Sequence, residues 1–442
     1  MTAIMRMARW ADMDDADRGA LLGRGLDAIF DPDLRRSIGK LLDDVQTRGD
    51  AAVCDALARF DGVTIAPDRL RVTSDEIDGA AISPEVDAAI DDAIAHITAF
   101  SEHQLARLTD WSFEAEPGLV VGEKLTPVES AGLFVPSGKA SYPSVAYQLA
   151  TPATIAGVPQ IVLVVPPVPG HADGAVDPAV LVVCRKLGVS NVFRVNGPAG
   201  IAALGFGTES IPQVRMVVGP GSPAVTLAQI EMQRHGVTTM MLLGPTESVI
   251  IADGSADPVR LAADLLIEAE HGVDSMVVLL TPDEAVGLAV DAELAGQLAE
   301  LPAVRAEAAQ AALGVNGGCV VTADLDEAVA VANRIAPEHL QVAVDESIES
   351  ATVDAIVNAG EILVGQHTPF SAANFVIGCP ASLPTSGFAT VSSGITAMTF
   401  LKRTAVAKAD ATALKRMSPS IEALADHEGF PAHAAAIRRR RL

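Results

Sequence analysis

The sequence predicts an α/β protein of two doubly wound domains, with an N-terminal helical arm and a C-terminal helical extension. Three observations carry this. Apolar strands, glycine turns and amphipathic helices alternate in two successive blocks, the pattern of parallel βαβ units. The strands are continuous apolar runs, such as Ile161–Val165 and Ser275–Leu280, which suits sheets covered on both faces. A chain of 442 residues also exceeds one ordinary core.

Composition narrows the function. Apolar residues make up 49% and charged residues 20%, enough to fill large cores. A formal charge of -25 argues against a nucleic-acid partner, which needs a basic footprint. The basic run Arg438–Arg441 reads as cations at a helix C-terminus. Cys54, Cys184, Cys319 and Cys379 stand far apart with no C-x-x-C, so a zinc ribbon or dithiol site is not indicated. Scattered cysteines and an N-terminus without an apolar h-region suit a cytoplasmic protein. No run is long and apolar enough to suggest a membrane span.

Taken in order, residues 33–60 have a helical pattern, broken at Arg48-Gly49-Asp50. A second helix runs over Ser83–Leu105, with Ser83 as N-cap and Pro84 at the first helical position. The strand Ala131–Pro136 meets Ser137-Gly138-Lys139, and Tyr142-Pro143-Ser144 opens a helix through Ile155. Strands at Ile161–Val165, Asn191–Val195 and Val214–Val218 follow, with a helix at Pro178–Leu187. The turns Asn196-Gly197-Pro198-Ala199-Gly200 and Gly219-Pro220-Gly221-Ser222 each lead into a helix. Such turns gather backbone N–H groups for a phosphate, although neither is G-x-G-x-x-G.

The second block has strand-like runs at Thr239–Leu243, Val249–Ala252, Ser275–Leu280, Gly318–Thr322, Leu340–Val344 and Glu361–Val364. Helical text occupies Asp283–Leu313 and Leu325–Ile335. After about Thr396 the chain reads as helical to its end.

Three acid–imidazole sets stand out. Glu268 and His271 lie three apart, which puts both on one face of a helix ending at Gly272; this spacing holds divalent metals. Glu338-His339 follows Pro337 in a helix-to-strand loop. There His339 is a candidate general base, and Glu338 can activate water. Glu428 and His433 form a third set near the C-terminus. Each pair taken alone also fits a solvated surface.

The motifs Gly132-Leu-Phe-Val-Pro-Ser-Gly138, Ala140-Ser-Tyr-Pro-Ser144, Gly219-Pro-Gly221 and Gly244-Pro-Thr-Glu247 occur in that order. Ala269-Glu-His271, Asn333-Arg-Ile-Ala-Pro-Glu-His-Leu340, Leu383-Pro-Thr-Ser-Gly387, Ser393-Gly394 and Phe400-Leu-Lys-Arg-Thr404 follow. Together they resemble the histidinol dehydrogenase family, from about residue 35 to 442. The resemblance implies Rossmann-like domains: an arm over 1–30, a substrate and metal domain over 31–132 and 246–395, and a nucleotide domain over 133–245. It implies that residues 396–442 complete the partner's site in a domain-swapped homodimer. It implies zinc and NAD as cofactors, and oxidation of an amino alcohol, L-histidinol, through the aldehyde to the carboxylate. His339 would take the alcohol proton and Glu338 would activate water. Glu268, His271, Asn374 and His433 fall on the zinc-ligand positions. Thr246 and Glu428, with His339 and the zinc ligands, would line the substrate.

The departures from the family pattern are specific. Glu268 stands for Gln and Asn374 for Asp, which moves one negative charge across the ligand set while keeping its total. Ala381, in Gly378-Cys379-Pro380-Ala381, replaces a pocket His. Phe134, Ala199 and Ser222 replace Tyr, Gln and Asn at the nucleotide, leaving these cofactor-binding positions weakened. A different polar amino or hydroxy alcohol as substrate, or a redox-inactive ligand-binding role, stays open beside histidinol.

Overall fold

The computed structural model describes residues 3–23, 30–136, 141–169, 171, 174–240 and 244–440. The expected loop 137–139 and the end of the expected strand Thr239–Leu243 lie outside them; Thr238–Thr239 is a strand.

Fourteen strands occur among the described residues. They are β1 (Met7–Arg9), β2 (Trp111–Glu116), β3 (Leu119–Pro127), β4 (Ser130–Phe134), β5 (Gln160–Val165), β6 (Asn191–Arg194) and β7 (Met216–Val218). Then come β8 (Thr238–Thr239), β9 (Glu247–Ala252), β10 (Met276–Thr281), β11 (Gly318–Val321), β12 (His339–Ala343), β13 (Glu361–Val364) and β14 (Leu401–Ala409). They build a parallel five-stranded sheet, β6-β5-β4-β7-β8, and a parallel six-stranded sheet, β1-β11-β10-β9-β12-β13. An antiparallel three-stranded sheet, β14-β3-β2, completes the set. Both parallel sheets are wound outward from a central strand pair, the doubly wound order.

Alternation fixes what each face buries. In the five-stranded sheet Ala131, Leu133, Leu163 and Val165 face the helices Pro84–Leu105, Pro143–Ile155 and Pro178–Leu187. Phe134, Val162, Val164 and Phe193 face the helices Pro32–Arg48, Asp50–Phe60, Gly197–Phe206 and Pro223–Met232. The helices between 32 and 105 therefore pack on the five-stranded sheet. In the six-stranded sheet Ile250, Val277, Leu279 and Leu363 face the helix Pro258–Ala269, while Val249, Ile251, Leu340 and Val342 face the helix Leu325–Ile335.

Several elements differ from expectation. Residues 7–9 of the arm form β1, the edge of the six-stranded sheet. The helical text 283–313 is two helices, Glu284–Leu298 and Ala303–Ala311, split at Pro302, which cannot donate to a helical carbonyl. Residues 401–409 are extended rather than helical, because β14 pairs along its whole length with β3. In the described part of the C-terminal piece a 3-10 turn at Ala397–Phe400 precedes that strand, and Ala411–His427 and Pro431–Arg438 are α-helices. No helix of the described residues is long and apolar enough to cross a membrane.

Candidate active site

The helix Pro258–Ala269 starts near the carboxyl end of β9 and runs back beside the sheet, so its last turn returns to the sheet's amino edge. There it meets the first residues of β9, β12 and β13. Glu268 is in the last helical turn; His271 lies just past the helix end, not on it, and its N–H still reaches the Glu268 carbonyl at 3.3 Å.

Glu268 is fully buried, at 0% exposure. Its Oε1 accepts from Asn374 Nδ2 at 2.6 Å. Its Oε2 is 3.3 Å from His271 Nδ1 yet has no hydrogen-bond partner. Thr246 Oγ1 lies 3.4 Å from the same ring nitrogen. Glu268, His271, Asn374 and Thr246 are thus one cluster. A buried carboxylate oxygen without a donor, beside an imidazole at the electronegative end of a helix, suits a cation. Carboxylate, imidazole and carboxamide oxygen are donors that zinc accepts, so these residues fit the metal the family resemblance implies. Among the described residues no three His, Cys, Asp or Glu side chains group to hold a metal.

Glu338 and His339 are buried, not a surface loop, and His339 is the first residue of β12. Ala336, in the left-handed region at φ 51°, turns the chain from the helix Leu325–Ile335 into Pro337-Glu338. Glu338 Oε2 accepts from the Glu247 N–H at 3.2 Å. Its Oε1 lies 3.8 Å from His339 Nε2. Burial pushes the Glu338 carboxyl well above the usual range, only partly opposed by His339. Burial alone would lower His339, but the charges of Glu268, Glu338 and Glu361 outweigh it and raise it.

Two acids that the motif reading did not single out belong here. Glu361 Oε1 is 2.5 Å from His339 Nδ1. Glu247 Oε2 accepts from the Ser386 N–H at 3.0 Å, which ties the 385–387 turn to β9. Glu361 opens a strand the sequence does show, but its neighbour follows from the β12–β13 register, which no spacing reveals.

Glu428 and His433 do not join the cluster. Both are exposed on the C-terminal piece, where the His433 ring sits against Phe430. At the five-stranded sheet Phe134 and Ala199 are in the core at 1% and 2% exposure, so neither offers a contact surface; Ser222 is exposed at the N-cap of the helix Pro223–Met232. Gly219 approaches Phe134 so closely that a Cβ there would meet its carbonyl oxygen at 2.1 Å. This turn offers backbone N–H groups rather than side chains.

Hydrogen bonds join the two sheets' units at the site. Gln148 Nε2 donates to the Asn374 carbonyl at 2.7 Å, and Tyr147 Oη to the Phe375 carbonyl at 2.9 Å. A charged amino edge of one doubly wound sheet, docked on the unit with a backbone-lined carboxyl edge, defines a doubly wound α/β protein of two units. Comparisons with known proteins make this specific. Residues 28–441 match the family model described as histidinol dehydrogenase. The histidinol dehydrogenase of Rhizobium meliloti (strain 1021) is 41% identical over 408 residues, 92% of this chain and 91% of that one. That of Methanosarcina barkeri is 35% identical, over 99% of this chain and 98% of that one. The crystal structure of histidinol dehydrogenase from Elizabethkingia anophelis superposes with a TM-score of 0.91 at 31% identity, covering 100% of this chain and 98% of that chain. The chain belongs to the histidinol dehydrogenase family of oxidoreductases.

Proposed function

We propose that the protein oxidises L-histidinol to L-histidine through the aldehyde, in two NAD-linked steps with zinc. The observation that carries this reading is the buried pair Glu338 and His339 beside the Glu268–His271–Asn374 cluster. Zinc held by Glu268, His271, Asn374 and the partner's His433 would polarise the substrate oxygen, and NAD would accept hydride.

The chain's own residues account for the proton traffic. His339 Nε2 takes the hydroxyl proton in each oxidation. Glu338, as a carboxylate made more basic by burial, takes one from the water that attacks the aldehyde and passes it to the former carbonyl oxygen, giving the gem-diol. Thr246, beside His271, and the partner's Glu428 orient the polar end of the substrate.

A homodimer that exchanges C-terminal pieces supplies Glu428 and His433. In support, Leu424 and Phe430 on that piece are exposed, as are Phe375, Val376 and Ile377 next to Asn374. The enzyme works in the cytoplasm on a small molecule.

The test is NADH formation by zinc-loaded protein with L-histidinol. We expect turnover, and a loss of roughly 10²–10⁴-fold in His339→Ala. Zinc-bound, folded protein that does not turn over histidinol would overturn the reading. Cys379, which feels the charge of Glu361, and Ala381, which stands where the family resemblance has a pocket His, favour one second reading, a different polar amino or hydroxy alcohol, which a screen with NAD and NADP would then find.

A further inference from the structure

We infer that Glu361 is a positioning residue for His339: it holds the proton on Nδ1 and leaves Nε2 as the basic nitrogen that meets the substrate. This rests on the reading of His339 as the general base.

The geometry comes from the sheet. His339 and Glu361 are directly paired neighbours on the parallel strands β12 and β13. Paired residues point to the same face, here the face covered by the helix Pro258–Ala269. On the other side His339 pairs with Ser248 of β9, whose hydroxyl has no hydrogen-bond partner. The ring therefore has one strong lateral contact, Glu361 Oε1 at 2.5 Å from Nδ1. The Phe370 ring packs against it at 5.8 Å between centroids and 63° between planes, which limits rotation. Glu338 Oε1, at 3.8 Å from Nε2, is too far for a hydrogen bond and leaves that nitrogen open.

The other groups facing the ring do not serve the same end. Glu338 and Glu268 act on His339 through their charges from the Nε2 side and across the site. Only Glu361 contacts Nδ1. As a carboxylate it accepts and cannot donate, so a neutral His339 beside it carries its proton on Nδ1. When Nε2 takes the substrate's proton, the imidazolium that forms is stabilised by the same carboxylate. Glu361 is itself buried, and its Oε2 has no hydrogen-bond partner. A carboxylate so placed is costly unless it has a charged or polarised neighbour, and His339 is that neighbour.

The experiment compares wild type with Glu361→Gln and Glu361→Asp, with ¹⁵N-labelled histidine and His339→Ala to assign the ring. Long-range ¹H–¹⁵N correlation reads which nitrogen carries the proton. In wild type we expect a protonated Nδ1 with a low-field proton resonance, lost in Glu361→Gln and recovered in part in Glu361→Asp. With histidinol and NAD we expect kcat to fall by roughly 10²-fold in Glu361→Gln, with KM within about twofold. The acid limb of the kcat–pH profile should move to lower pH, because His339 loses an anionic neighbour, and Glu361→Asp should restore most of both. A neutral wild-type ring, read above its titration, that carries its proton on Nε2, or a Glu361→Gln variant with unchanged resonance and unchanged pH limb, overturns the proposal. Should wild type not oxidise histidinol, the resonances still decide the role of Glu361, so the two readings fail separately. Should Glu361→Gln not fold, wild type and Glu361→Asp carry the same spectroscopic test.

Discussion

The two parallel sheets share a winding order but work at opposite edges. In the five-stranded sheet the ligand-ready end is the carboxyl edge, where Gly219 and Ser222 lead into a helix N-terminus. That edge carries partial positive charge and few reactive side chains, and it suits an anionic phosphate. In the six-stranded sheet the candidate site is at the amino edge, where Glu247, His339 and Glu361 open their strands and Glu268 lies in the last turn of a helix. Helix C-termini collect there, so the local field favours a cation. One fold pattern thus yields two chemically opposite edges. The buried ionisable side chains of the candidate site are gathered at one of them.

The comparison can be broken most severely at the cation end. Glu268→Gln removes the only carboxylate among Glu268, His271 and Asn374; zinc affinity, read by metal content after dialysis against a competing chelator, should fall by at least about 10- to 100-fold. Adding Asn374→Asp to that variant should return most of the loss, because the exchange then restores one anion and one carboxamide across the same hydrogen bond. No recovery in the double variant would mean that the two side chains are not coupled.

The approach of β13 to the Glu338 segment comes next. A Cβ on Gly360 would meet the Glu338 carbonyl oxygen at 2.4 Å. Gly360→Ala should therefore cost about 1–3 kcal/mol of stability, seen as a lower Tm, and reduce kcat by shifting Glu338 and Glu361 together. The same change at exposed Gly296, whose added Cβ meets nothing, is the control.

Charge burial at the amino edge also gives a pH signature. Glu338 and His339 both have folded pKa values raised above their unfolded ones. Their contribution is complete below the unfolded values and is lost as pH rises through the folded ones. The Tm of metal-free protein should accordingly drop on going from neutral to alkaline pH, and His339→Ala should flatten that decline. A profile equally steep in the variant would remove His339 as its source.

The smallest effect is expected at the carboxyl edge. Ser222 is exposed at a helix N-cap where its side chain makes no capping bond. Ser222→Asn adds a carboxamide there and should lower the KM for NAD by about two- to tenfold, the value of one hydrogen bond, without changing kcat.

The strand–turn–helix alternation was legible because these parallel strands carry unbroken apolar runs, as at 161–165 and 276–280. Glu338 and His339 were legible as a motif, though not their burial, since a dipeptide says nothing about what packs on it. Glu361 was hidden because a neighbour across a sheet depends on register. The extended β14 was hidden for another reason: of its residues Leu401–Ala409 all but the first are exposed, so no alternation of polar and apolar marks it. Its Ala- and Lys-rich text favours a helix, and only pairing with β3 overrides that preference.

The edge strand β1 has a consequence for the order of synthesis. The backbone N–H groups of Ile4 and Met5 are held by Asp291, which is 287 residues later than Ile4. At about 5–20 residues per second a ribosome needs roughly 15–60 s to bridge that interval. For this time the first residues wait without their strand neighbour β11, while all five strands of the other parallel sheet, the last of them Thr238–Thr239, are already made. The six-stranded sheet, whose amino edge holds the candidate site, therefore closes well after the strands of the five-stranded sheet have been made.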